Sequence, residues 1–170
     1  MQVNATPTYD QSDNSTGCCP RFNPAGWDGQ ELDFRDKPFI RATTHSIMHV
    51  PLNMGRVFTR VLEAMDKADA VRPEQTFVLS RDLSAFQAEH LFACDRPVPG
   101  EDMVTLSGHF LTKVFEGPYS MAPEWIEEME QSAMAGGHKS GPVWFFYTTC
   151  PKCQKVYGRN PVVGVVELTA

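Results

Sequence analysis

Hydrophobic and polar positions change their period along the chain, and the changes mark its elements. From Phe39 to Pro51, Ile40, Ala42, Thr44, Ser46, Met48 and Val50 alternate with Arg41, Thr43, His45, Ile47 and His49. A period of two sends alternate side chains to opposite faces, so this stretch predicts a strand with one apolar face, imperfect in its middle. Next, Met54, Val57, Phe58, Val61, Leu62 and Met65 recur at intervals of three and four. That spacing predicts an amphipathic helix over 54–68, with Asn53 placed to cap it. Residues 70–75 read as a turn, Thr76 to Arg81 as a short strand, 82–87 as a bend and Ala88 to Asp95 as another strand. Pro97, Pro99 and Gly100 make a loop.

The second half repeats this order. Met103 to Leu106 leads into a strand from His109 to Glu116, broken by Gly117-Pro118-Tyr119. Pro123 fits the first turn of a helix, where its missing N–H costs nothing, and the helix runs to Ala135 before Gly136-Gly137. Ile126, Met129 and Ala133 form one face with Trp125 beside it. Glu124, Glu127, Glu128 and Glu130 read as a solvated face near the positive end of the helix dipole. Val143 to Thr149 and Val162 to Leu168 are strands, separated by a Cys-Pro-Lys-Cys turn at Cys150 to Cys153. The expected fold is therefore α+β: two successive strand-helix-strand-strand units, about 39–100 and 101–168, within one domain spanning 17–170. Residues 1–16 carry almost nothing to bury and read as a disordered tail. Trp27 reads as a plug packed on the core.

Composition narrows the function. At 170 residues and a net charge of −6, with no basic run, the chain offers no nucleic-acid surface. It has no charged n-region followed by an apolar stretch, and no apolar run that spans a bilayer, so we expect a cytoplasmic protein with no membrane partner. The Asn-x-Thr triplets at Asn4 and Asn14 are then chance matches. The five cysteines should be reduced, and in that setting Cys-x-x-Cys points to metal or redox chemistry.

Three groups of residues are candidates for chemistry. The first is aromatic. Phe145 and Tyr147 share one face of their strand, and Trp144 and Phe146 share the other; Phe115, Tyr119 and Trp125 gather near the strand-helix junction. Such rings either fill a core or wall a pocket for a flat or cationic ligand. The second is His45, His49 and His109, all on predicted strands. The first two project from one face, so either a three-histidine metal site or a water-positioning wall is conceivable. The third is cysteine. Cys150 and Cys153 have the spacing of a zinc knuckle, and Cys18 and Cys19 are the obvious other pair. Four thiolates on one ion would make a structural zinc; a reactive dithiol or plain reduced cysteines are the alternatives. Cys94, in an apolar strand, reads as simply buried.

The passage Ser107-Gly108-His109-Phe110-Leu111-Thr112-Lys113-Val114-Phe115-Glu116-Gly117-Pro118-Tyr119, with Glu89-His90-Leu91-Phe92-Ala93 before it, resembles the GyrI-like small-molecule-binding family over roughly residues 39–168. Thr16-Gly17-Cys18-Cys19-Pro20 with Tyr147-Thr148-Thr149-Cys150-Pro151-Lys152-Cys153 resembles a subgroup labelled only "hydrolase". The resemblance implies a curved antiparallel sheet with two helices packed on it and a pocket for a small hydrophobic or aromatic ligand. It implies roles that include xenobiotic detoxification, and no organic cofactor. It also matches Glu89 to the acidic end of a pocket-lining strand, with Glu167 as its pseudo-symmetric counterpart. Either glutamate can orient a water if buried, or be an ordinary charge at a strand edge or a frayed end. Tyr119, Tyr147 or His109 would then donate a proton, and Phe115, Tyr119, Trp125, Trp144 and Phe145 would line the ligand site. No Gly-x-Ser-x-Gly elbow is present, so two functions stand: a hydrolase using carboxylate-assisted water attack, or a module that binds the ligand unchanged. The oligomeric state is not set by the sequence.

Overall fold

The computed structural model describes residues 2–8 and 10–170. In chain order the elements are β1 (Glu31–Ile47), β2 (Val50–Pro51), α1 (Met54–Lys67), β3 (Val78–Ser84), β4 (Gln87–Ala93), β5 (Met103–Glu116), α2 (Ala122–Ala135), β6 (Lys139–Tyr147), α3 (Pro151–Tyr157) and β7 (Pro161–Thr169). The paired strands are antiparallel. The mixed α and β content and the antiparallel pairing agree with the sequence reading. The helix count does not: three α-helices are present among the described residues rather than two. The chain divides into two compact units, Asp36–Leu106, and the residues up to Arg35 with Ser107–Ala170.

In the unit Asp36–Leu106, β4 pairs with β1 on one side and with β3 on the other. Alternation along β4 sends Ala88, His90 and Phe92 to one face and Glu89 and Leu91 to the other. Phe92 packs with Ile40, Ala42, Val61 and Met65 beneath α1, so the first of these faces meets the helix. Burying two such side chains from the helix stabilises its docking by about 1.5–3 kcal/mol each. Leu62 belongs to the predicted stripe but lies at its outer margin, exposed. Asn53 does not cap α1 with its side chain; its Oδ1 accepts the His45 backbone N–H at 2.8 Å.

In the other unit, β7 pairs with β5 and with β6. Here α2 presents Trp125, Met129 and Ala133, spaced four and four, to Phe115, Phe145, Val162 and Val166. The predicted Ile126 is exposed, because the packed line runs one residue earlier. The helix comes close to the sheet at Gly164. A Cβ there would lie 2.8 Å from both Met129 Sδ and a Phe115 ring carbon, so any larger residue would force the two layers apart.

The segment ahead of β1 is held against this same unit. Residues 2–8 and 10–16 contain neither helix nor strand. Nevertheless the Asn4 side chain exchanges hydrogen bonds with the Arg35 backbone, at 2.9 and 2.8 Å. Trp27 is fully buried beside Phe22 and Phe146, as a plug should be. Its carbonyl accepts the Thr112 hydroxyl, and the Gln30 carbonyl accepts the Thr112 N–H at 2.8 Å.

Candidate functional site

Glu167 sits near the end of β7 on the face turned away from α2. Its cross-strand neighbour is Phe110, and Val165 two residues earlier pairs with Trp144. Phe110 and Trp144 are in turn ring neighbours, with centroids 6.2 Å apart. On the β6 side the register slips between Ser140 and Val143, which sets Gly141 against the glutamate. A Cβ on Gly141 would lie 2.9 Å from Glu167 Cβ and 3.1 Å from its Oε2. Across the strand on the other side, a Cβ on Gly108 would lie 3.4 Å from Oε1. Two residues without side chains thus make the space that the half-buried carboxylate fills. Among the described residues no hydrogen bond or ion pair engages that carboxylate, so both oxygens keep their lone pairs for a water or a ligand.

Glu89, near the start of β4, has a different environment. It too lies on the face away from its helix, paired with Thr43 on β1 and Arg81 on β3. The Arg81 Nε donates to Glu89 Oε1 at 2.9 Å. The side chains are 12% exposed for Glu89 and 33% for Arg81, so water screens this pair only in part. Next to Glu89, on the helix side, His90 is fully buried. Its Nε2 is 2.8 Å from the Thr44 hydroxyl and its Nδ1 2.7 Å from the Ser80 hydroxyl. Burial pushes its pKa down to about 4, so the ring is neutral at physiological pH and each nitrogen has a hydroxyl partner.

The remaining predicted residues fall into separate places. Phe115, Trp125 and Phe145 are buried in the core under α2, the first two stacked at 5.3 Å. Trp144 is buried on the Glu167 face. Tyr147 is on the α2 face, edge-on to Tyr119 at 4.9 Å. The Tyr119 hydroxyl donates to the Thr149 carbonyl at 2.8 Å and accepts from Gln154 Nε2 at 2.5 Å. Burial, aided by the nearby Cys150 thiol, pushes the Tyr119 pKa up to about 12. His109 is 64% exposed, 3.8 Å from Asp33, and alternation puts it on the opposite face of β5 from Phe110 and Glu167. The structure therefore does not bring His109 or Tyr147 to Glu167. His45 is exposed, and His49 lies in the turn after β1, where φ is positive, 2.6 Å from Asp82. Among the described residues these histidines form no metal-holding group.

The four predicted cysteines do come together. The sulfurs of Cys18, Cys19, Cys150 and Cys153 all lie within 4.8 Å of one another, close enough to hold one metal ion. The expected Cys-Pro-Lys-Cys turn is the start of α3: Cys150 precedes the helix, Pro151 opens it and Cys153 is buried in its first turn. Thr16 joins them, its hydroxyl 3.2 Å from Cys153 Sγ and 3.3 Å from the Tyr157 hydroxyl. Cys94 is buried and apart from this group. A recess of about 340 Å³ nearby is bordered by Asp10, Asp13, Arg21, Tyr157 and Arg159 and contains none of the candidate carboxylates.

Arg81, Gly108 and Gly141 were not singled out in the sequence. Gly108 and Gly141 fall just ahead of the strands expected from His109 and Val143, which begin earlier in the structure, whereas an arginine eight residues before a glutamate in a hairpin marks a cross-strand pair.

Antiparallel strands with helices packed on them define the chain as an α+β protein. It belongs to the bacterial hydrolase family, whose model matches residues 9–168. Among solved structures it is similar in fold to a hydrolase from Listeria innocua, at 11% identity and a TM-score of 0.55, over 84% of this chain and 92% of that one. Another is SAV2435 bound to tetraphenylphosphonium, at 10% identity and a TM-score of 0.48, over 84% and 94% of the two chains. No curated protein matches the sequence. No helix among the described residues is long and apolar enough to cross a membrane.

Proposed function

We propose that the protein hydrolyses a small hydrophobic or electrophilic compound by carboxylate-assisted attack of water, with Glu167 as the base. The observation that carries this reading is the Glu167 carboxylate, half-buried between Gly108 and Gly141 and, among the described residues, without a partner. Membership of a hydrolase family supports it.

The chemistry needs only this group and water. Glu167 takes a proton from a bound water, whose oxygen forms a bond to the electrophilic carbon. The strained or activated bond at that carbon breaks, and its electron pair leaves on the departing atom. The protonated Glu167 then returns the proton to that atom, so the net change is the addition of one water. His109 and Tyr147 are on the other strand face and have no part in this scheme. Glu89 is held by Arg81, its charge already compensated, and takes no proton in this scheme. Of the predicted ligand walls, Trp144 shares the Glu167 face; Phe115, Trp125 and Phe145 serve the core. Such an activity suits the removal of foreign electrophiles.

The test is incubation with a panel of flat aromatic and electrophilic compounds, each followed by mass spectrometry. A compound that gains the mass of one water with the wild type, and does not with Glu167→Gln, supports the hydrolase. Recovery of every compound unchanged, with some of them raising the melting temperature, would replace it with a binding role.

A further inference from the structure

We infer that Cys18, Cys19, Cys150 and Cys153 form a structural zinc site that fastens the segment before β1 to the start of α3. The geometry points to tetrahedral coordination. Four thiolates about 2.3 Å from one zinc stand about 3.8 Å from each other along the edges of a tetrahedron. Cys18 Sγ lies 3.8 Å from Cys19 Sγ and 3.9 Å from Cys150 Sγ, and every pair in the group is within 4.8 Å.

The Cys150 backbone N–H is directed at Cys19 Sγ, 3.5 Å away. The Thr16 hydroxyl lies 3.2 Å from Cys153 Sγ, so polar groups reach two of the four sulfurs. Donors of this kind orient thiolate ligands and spread their charge. Zinc binding releases the four thiol protons and leaves a centre of net charge −2. Cationic side chains lie close in the chain: Lys152 sits between the two helix cysteines, and Arg21, two residues beyond Cys19, stacks over the Tyr157 ring at 4.4 Å. All soft ligands select zinc over magnesium or calcium, and four of them leave no open position for a water. The site therefore takes no part in the hydrolysis proposed above, and the two readings stand or fall separately.

Its role follows from what it joins. The cysteines at 18 and 19 precede Phe22 and Trp27, which pack against Phe146 of β6, while Tyr157 at the far end of α3 donates to the Cys19 carbonyl at 2.6 Å. The metal fixes both ends of that contact, so its removal should release the amino-terminal segment first and leave the sheet paired.

The test uses the full chain purified without chelator. Elemental analysis should find about one zinc per chain, and cobalt exchanged into the site should give the intense visible absorption of a tetrahedral tetrathiolate. Stripping the metal should raise hydrogen exchange in residues 10–30 by at least about tenfold and leave β5 and β7 protected. Cys18→Ser and Cys150→Ser should each weaken zinc retention about tenfold or more. Should these variants fail to fold, the cobalt spectrum of the wild type still decides. Fully reduced protein that neither carries nor takes up zinc, or cobalt that binds without tetrathiolate absorption, would overturn the proposal. So would unchanged zinc affinity in Cys18→Ser.

Discussion

Glu89 and Glu167 lie in different units, each on a strand paired on both sides and on the face turned from α1 or α2, and among the described residues only Glu167 has no partner. The strand that follows the helix makes the difference. On β3 it carries Arg81, which binds Glu89 at 2.9 Å. On β6 it carries Gly141, which leaves Glu167 room and no partner. The neighbouring helix-side residue differs as well: the buried His90 in one unit, the half-buried Leu168 in the other. A carboxylate joined to a guanidinium is a structural element, because its charge is already compensated and its lone pairs are engaged. An uncompensated carboxylate in a partly buried place is a poor structural choice and a good chemical one.

Stability measurements sharpen this contrast, and the largest effect belongs to His90. Its ordinary pKa is 6.5, and burial lowers it to about 4 in the fold. A lowered histidine pKa means that the unfolded chain binds the proton more readily. The stabilisation is therefore complete above pH 6.5 and is lost as pH falls toward 4. The gap corresponds to about 3 kcal/mol. Hydrogen exchange followed by mass spectrometry between pH 7 and 4 should show residues 36–106 losing protection before residues 107–170. Simultaneous loss in both would break the comparison.

Arg81→Leu comes next. It leaves Glu89 partly buried with its charge unmatched, and the partial exposure of the pair reduces the usual penalty to about 2 kcal/mol. Denaturant midpoints should show this loss, and adding Glu89→Gln should recover most of it. No recovery would mean that Arg81 acts through other contacts. The smallest effect is expected for Gly141→Ala. The added methyl meets Glu167 at 2.9 Å, costs about 1 kcal/mol and moves the carboxylate. Turnover should then fall far more than the melting temperature does; equal losses would make Gly141 a packing residue only.

Much of this architecture is legible in the sequence. The periods of two and of three to four place α1, β4, α2 and β7 within a few residues, whereas β1 begins eight residues before the expected Phe39 and ends at Ile47, ahead of a turn, and the alternation in Val143 to Tyr147 correctly divides its aromatics between the two faces. The helix α3 was missed because seven residues are too few for a period to appear, although Pro151 at its start and Gly158 beyond its end were signs of it. The cysteine group was legible because its chemistry is concentrated in few residue types. What the sequence could not supply was the register. Whether Glu89 faces an arginine, and Glu167 a glycine, depends on a bulge at Gly141 and on hairpin pairing, and a slip of one residue reverses both answers. The same limit applies to the aromatics: Phe115, Trp125 and Phe145 suit a ligand wall by type, and their faces assign them to the core.

The most direct test of the central claim compares Glu167→Gln with Glu89→Gln on one compound that the wild type hydrolyses. The account predicts that Glu167→Gln lowers turnover by about 10²–10⁴-fold while Glu89→Gln stays within about threefold of the wild type. Unchanged turnover in Glu167→Gln, or equal losses in the two variants, would contradict it.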